Sequence, residues 1–109
     1  MTEQYKWTQA EKIIARRIFD RAYKKECTNI LNKVKEMLSR IENPIKIWDI
    51  EEYLNKERII IEGKYDYRYS VLIIVFGQLV RDGLIEKSDL QGLGQEKIDR
   101  IISIGSFNL

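Results

Sequence analysis

The chain has 109 residues and a mass of 13.0 kDa, enough for one modest core and too short for two independent domains. With 44% hydrophobic and 33% charged residues, one proline and six glycines, it has the composition of an ordered globular protein, not of a linker or a disordered tail. Nineteen basic and seventeen acidic residues leave a net charge of +2, well short of the basic bias of a chain that lives on nucleic acid.

The opening MTEQYKWTQAEK lacks the apolar stretch of a signal peptide, and the longest apolar run, residues 71–76, is far below the roughly 20 residues of a membrane span. Cys27 is the only cysteine, which excludes an intramolecular disulfide and a cysteine-based zinc site. The expectation is a cytoplasmic chain in a reducing compartment, with no membrane insertion.

Thr8-Gln9-Ala10-Glu11 has the form of a capping box, in which threonine and glutamate satisfy each other's free backbone N–H groups. Downstream, Ile14, Ile18, Phe19, Ala22, Tyr23, Ile30, Leu31, Val34 and Leu38 recur at steps of three and four, with no glycine or proline before Pro44. This predicts one helix of about 30 residues, spanning about 45 Å. Such a helix outruns any core this chain can build, so part of its apolar stripe needs cover from another chain.

Asn43-Pro44 reads as a second helix start, with asparagine as cap and proline at the first helical position. The helix is expected to run from Pro44 to about Ile61, and Gly63 to end it by adopting a positive φ. Residues 70–80 are apolar all round and rich in β-branched side chains, which would also suit a strand. A lone strand would lack a partner, so a helix buried on all sides and stopped at Asp82-Gly83 is the better expectation. Leu84-Ile85 packs back, residues 86–93 make a short turn of helix, and a last helix covers Gln95 to Ile104 with Ile98, Ile101 and Ile102 inward. The Ser-Phe-Asn-Leu end is expected to fray.

Histidine is absent, which removes the commonest general base and metal ligand together. Phosphate-cradling and nucleophile-elbow glycine motifs are absent too. Cys27, with no histidine to activate it, reads as inert packing. No cofactor, metal site or catalytic group is expected, and binding to another protein is the natural function.

Asp49, Glu51, Glu52 and Glu57 make the start of the second helix acidic, as the helix dipole favours, and Glu52 lies four residues from Lys56. The basic residues Lys12, Arg16, Arg17, Arg21, Lys24 and Lys25 could contact phosphates, but Glu11, Asp20 and Glu26 interrupt them, and no hairpin follows residues 79–85 to make the wing of a winged helix. Charge is uneven: residues 1–42 hold ten Lys/Arg against six Asp/Glu, and the remainder nine against eleven. Trp48 and Arg58 are residue types that dominate binding hot spots, and with Tyr65, Tyr67 and Tyr69 they read as a recognition surface.

At these residues the sequence resembles the fluorescence recovery protein family, small helical regulators of the cyanobacterial orange carotenoid protein. The resemblance begins at Trp7-Thr8-Gln9-Ala10-Glu11, passes through Phe19 and Arg21-Ala22-Tyr23, and is closest from Ile47-Trp48 to Arg58 and from Ile61 to Val71. Gly63-Lys64-Tyr65-Asp66 with Arg68 and Ser70-Val71 is its most specific stretch. It implies an all-α homodimer with a stem of long helices over residues 8–62 and a smaller helical head over 66–109. It also implies non-enzymatic binding to the C-terminal domain of the photoactivated carotenoid protein, faster return of that protein to its orange state, and its release from the phycobilisome.

Carried onto this chain, the resemblance places partner-binding or dimer-interface roles on Trp48, Glu51, Glu52, Arg58, Ile74, Phe76 and Arg100. Glu51-Glu52 stands where the family usually has histidine-aspartate, Ile74 where a familiar member has phenylalanine, and Arg100 where it has lysine. A buried imidazole-to-carboxylate change would cost several kcal/mol unless paired, so Glu51 must be exposed or differently partnered. The alternatives are a homodimeric scaffold or adaptor with an unrelated protein partner, and a small DNA-binding regulator.

Overall fold

Thr8 and Glu11 begin the first helix as their spacing requires: Thr8 N–H donates to Glu11 Oε1 at 3.0 Å, and Glu11 N–H donates to Thr8 Oγ1 at 3.1 Å. The computed structural model describes residues 5–106. From this cap α1 runs unbroken over Gln9–Arg40, 32 residues, or about 48 Å. A 3-10 turn at Pro44–Lys46 reverses the chain into α2, Ile47–Lys64, followed by α3, Leu72–Arg81. A second 3-10 turn, Lys87–Leu90, leads into α4, Gln95–Gly105. Among the described residues there is no strand, only an isolated bridge between Gln91 and Leu93. Residues 107–109, in the end expected to fray, lie outside the described residues.

The buried core gathers Ala15, Ile18 and Ala22 of α1 with Leu72, Phe76 and Leu79 of α3, the connecting Leu84, Ile85, Leu90 and Leu93, and Ile101 of α4. The first half of α1 is therefore part of the head's core. Its second half leaves the head beside α2, which stretches the molecule to 54 × 26 × 23 Å. No helix is long and apolar enough to cross a membrane.

Several expectations are corrected. Asn43 does cap, accepting from Ile45 N–H at 3.3 Å, but proline opens a 3-10 turn and the α-helix starts only at Ile47. Gly63 stays helical and does not end α2; the chain leaves the helix at Tyr65, whose backbone is extended. What ends the helix is side-chain packing, since Tyr65 and Tyr67 turn onto Phe19 of α1 at ring separations of 5.4 and 4.8 Å. Residues 72–81 are helical as expected but not buried on all sides, because Ile74 and Gln78 face solvent. The stop after α3 is the expected one: Gly83, at φ 77°, lets its own N–H reach Val80 O and Leu84 N–H reach Leu79 O.

Two ionic knots tie α1 to the other helices. Glu11, nearly buried, receives Thr8 N–H, Gly94 N–H at 2.8 Å and the Lys97 ammonium at 3.1 and 3.2 Å, so the start of α1 is tied to the start of α4. Lys64, at the end of α2, lies 2.8 Å from both Glu26 of α1 and Asp82 at the end of α3. Burial disfavours the Lys64 charge, but the two carboxylates outweigh it and raise its pKa.

Helices α3 and α4 touch through glycine. A methyl group on Gly77 would overlap the Ile104 side chain, and one on Gly105 would overlap Val80. Gly77→Ala is expected to destabilise the fold by about 1–3 kcal/mol, read by urea denaturation. Glu11 gives a pH signature. Burial works against its charge, yet the Thr8 and Gly94 N–H groups and Lys97 prevail and lower its pKa from 4.5 to about 2. Its contribution is complete above about pH 4.5 and is lost as pH falls toward about 2, because the unfolded chain takes up the proton first. Glu11→Gln should flatten stability across that window and cost about 3 kcal/mol at neutral pH, since Lys97 is left buried without its partner.

Candidate protein-recognition surface

One side of α2, carrying Ile50, Tyr53, Glu57 and Ile61, turns toward α1 and is buried or half-buried. The other sides carry the residues singled out in the sequence. Trp48 is 67% exposed, and Glu51, Glu52 and Arg58 are exposed with it. Glu51 and Arg58 are seven residues apart and share one side, while Trp48, Glu52 and Ile59 share the adjacent one. Glu52 meets Lys56 at 3.3 Å, an exposed pair of little energetic weight. Glu51 stands in solvent, so its carboxylate carries no burial penalty.

This surface is continuous with an unusual amount of exposed hydrocarbon. Leu31 and Leu38 on α1, Ile47, Leu54, Ile59 and Ile60 on α2, and Ile45 before it are all exposed. Leu31 and Leu38 are seven residues apart, as are Ile47 and Leu54, which is the spacing of a seam that packs against another helix. A hollow of about 410 Å³ with Met37, Ile41 and Ile50 in its wall opens where α1 turns into α2.

The other predicted residues lie in the head. Ile74 is 47% exposed on α3, and Arg100 is exposed on α4. Phe76 is fully buried in the head core, so its side chain is packing and meets no surface. The tyrosines of the connecting segment do not join Trp48 and Arg58. They form a ladder along the first half of α1: Tyr65 against Phe19 and Tyr23, Tyr67 against Phe19, and Tyr69 against Trp7 at 5.5 Å. Arg16 lies over Tyr67 at 4.7 Å and Lys12 over Tyr69 at 5.2 Å, so part of the basic run also serves this internal packing. Burial, then hydrogen bonding to Tyr69, push the Tyr67 hydroxyl up to about 12. Burial, then the neighbouring Glu26 carboxylate, push the Tyr65 hydroxyl up as well. Cys27 is a half-buried free thiol on α1.

Sequence reasoning missed the knots at Glu11–Lys97 and at Lys64. Glu11 was visible only in its local capping role, and Lys64 only as a member of the most specific stretch of the resemblance.

Residues 7–105 match the family described as photoprotection regulator fluorescence recovery protein, which places the chain in the class of photoprotection regulators. The chain is 36% identical over 100 residues, 92% of each chain, to the fluorescence recovery protein of Synechocystis sp.. It superposes on the solved structure of that protein with a TM-score of 0.86 at 34% identity, and on that of Fremyella diplosiphon with 0.85 at 33%, covering 94% of this chain and 100% of the other in both cases. The chain belongs to the fluorescence recovery protein family.

The different burial of Ile74 and Phe76 makes a direct test of the head. Phe76→Ala should cost about 3–5 kcal/mol in urea denaturation, and Ile74→Ala no more than about 1 kcal/mol.

Proposed function

We propose that the chain is a homodimeric, non-enzymatic regulator acting in the cytoplasm, which binds the C-terminal domain of photoactivated orange carotenoid protein, speeds its return to the orange state and helps release it from the phycobilisome. Membership of the family over residues 7–105 is the observation that carries this reading. A binder of this kind works by selection: by holding compact states of the relaxing partner more tightly than the open state, it lowers the barrier between them. The described residues act as one domain, with the paired long helices as stem and the C-terminal helices, packed on the first half of α1, as head.

The exposed seam of Leu31, Leu38, Ile47 and Leu54 supports the dimer, because a second stem would cover hydrocarbon that one chain leaves in water. Glu51 and Arg58 then border that seam, Trp48 and Glu52 stand on the adjacent side of α2, and Ile74 and Arg100 present the head to the partner. Phe76 acts from beneath, by shaping the surface on which Ile74 stands.

Dark recovery of photoactivated orange carotenoid protein, timed with and without excess folded protein, tests the activity. Acceleration is expected, and an unchanged recovery time refutes it. Paired Leu31→Glu and Leu54→Glu changes should convert the dimer to a monomer by light scattering while leaving helical content intact. Arg58→Leu should weaken partner binding or dimerisation; an unchanged recovery rate and mass would remove Arg58 from the site.

A further inference from the structure

The basic run on α1 is interrupted in sequence but not in space. At 100° per residue, Arg17, Arg21, Lys24 and Lys35 fall on one ridge of α1 together with Thr28, and Lys25 flanks it. All are exposed, and the ridge from Arg17 to Lys35 is about 27 Å long. The four carboxylates of α1 lie off this ridge and each has a partner: Glu11 with Lys97, Asp20 with Arg16, Glu26 with Lys64, and Glu36 with Arg40 and Lys33. Lys25 spends its ammonium on Gly83 O at 3.1 Å, whereas Arg17, Lys24 and Lys35 have no carboxylate partner among the described residues.

The head end of the ridge opens into a cavity of about 240 Å³ between α1 and the turn at Lys87–Leu90. Arg17 and Arg21 stand at its rim with Ser88 and Gln91, and Ile18, Ala22, Leu84 and Ile85 supply apolar wall. Asp89 lies there too, but one of its oxygens already accepts Glu86 N–H at 2.8 Å and the other faces Arg21 at 3.4 Å.

We propose that this ridge and its terminal cavity form a docking surface for an acidic protein segment, with a glutamate or aspartate side chain entering between Arg17 and Arg21. The observations favour protein over nucleic acid. The ridge is one side chain wide and is bounded by Asp20 on one side and by Glu86 and Asp89 at the head, so it neutralises a single line of charge and not the broad phosphate surface of a duplex. The apolar wall suits the methylene groups of a carboxylate side chain, and a guanidinium matches the carboxylate itself in a two-pronged hydrogen bond. This surface lies on a different side of α1 from the one packed against α2 and apart from the Trp48 surface, with Lys24 and Lys35 bordering Leu31 of the proposed dimer seam.

The test uses fluorescence anisotropy with a labelled glutamate-rich peptide of about sixteen residues, and a duplex DNA of similar charge as the competing probe. The expected result is peptide binding that weakens steeply with salt and falls about tenfold in an Arg17→Gln, Lys24→Gln, Lys35→Gln variant. A variant with Lys33, Lys46 and Lys56 changed to Gln, equal in lost charge, should bind as the parent does. Equal losses in the two variants, no peptide binding at low salt, or tighter binding of the duplex than of the peptide would each overturn the proposal. So would a change of mass in the ridge variant by light scattering, because the ridge would then be serving contacts between copies. Circular dichroism verifies folding of both variants, and the readout is independent of carotenoid-protein recovery.

Discussion

Helix α1 is about twice as long as the core that covers it, and that mismatch governs the rest of the molecule. Its first half buries Ala15, Ile18 and Ala22 under the head. The same periodic stripe then continues through Ile30, Val34 and Met37, which are only half-buried against α2, and through Leu31 and Leu38, which are about half exposed. A two-helix hairpin has too few neighbours to close a core, so its hydrocarbon remains available for other contacts. The proposed dimer is the response to this constraint, and the elongated shape is its visible sign.

A protruding stem is useful only if its angle to the head is fixed. The unbroken α1, whose first half is packed in the head core, shares that work with aromatic contacts and two ionic knots. Lys64 closes the end of α2 onto both α1 and α3, and immediately afterwards Tyr65, Tyr67 and Tyr69 lay the chain back along α1 in alternating aromatic contacts. Glu11 does the same at the opposite side of the head, joining α1 to α4 through Gly94 and Lys97. Ion pairs so little exposed confer less stability than apolar packing of equal volume would, but breaking one partner is costly, which makes them good determinants of a single arrangement. Residues 63–71 are therefore the strap between stem and head, and Tyr65 and Tyr67 of this strap are spent on packing against α1.

Local rules made the helices legible. The capping box at Thr8, the unbroken stripe of α1 and the glycine stop at Gly83 each depend on residues within a few positions of one another, and all three appear in the structure as their chemistry dictates. What was not legible depends on distant partners. Nothing local distinguishes Gly63, which stays helical, from Gly83, which does not; the difference lies in Tyr65 finding Phe19 across the fold. Phe76 and Ile74 are equally apolar neighbours, and only the position of α4 and the rest of the head decides that one is core and the other is exposed. The aromatic residues suggested one recognition surface because composition cannot separate an aromatic that packs from one that waits for a partner.

Charge follows the same division between local pattern and spatial outcome. Read along the chain, acids break up the basic run of α1; folded, those acids turn to other sides and are consumed by Arg16, Lys64, Lys97 and Arg40, and the surplus positive charge of the first 42 residues collects on one ridge. The acids Asp49, Glu51 and Glu52 at the start of α2 stay exposed, so the stem carries opposite charge on its two helices. A carboxylate at Glu51 strengthens that polarity where an imidazole would be nearly neutral at physiological pH. The proposed α1 ridge is thereby matched by acidic chemistry, whereas the α2 surface, which mixes Glu51 and Glu52 with Lys56 and Arg58, makes no such single-sign demand.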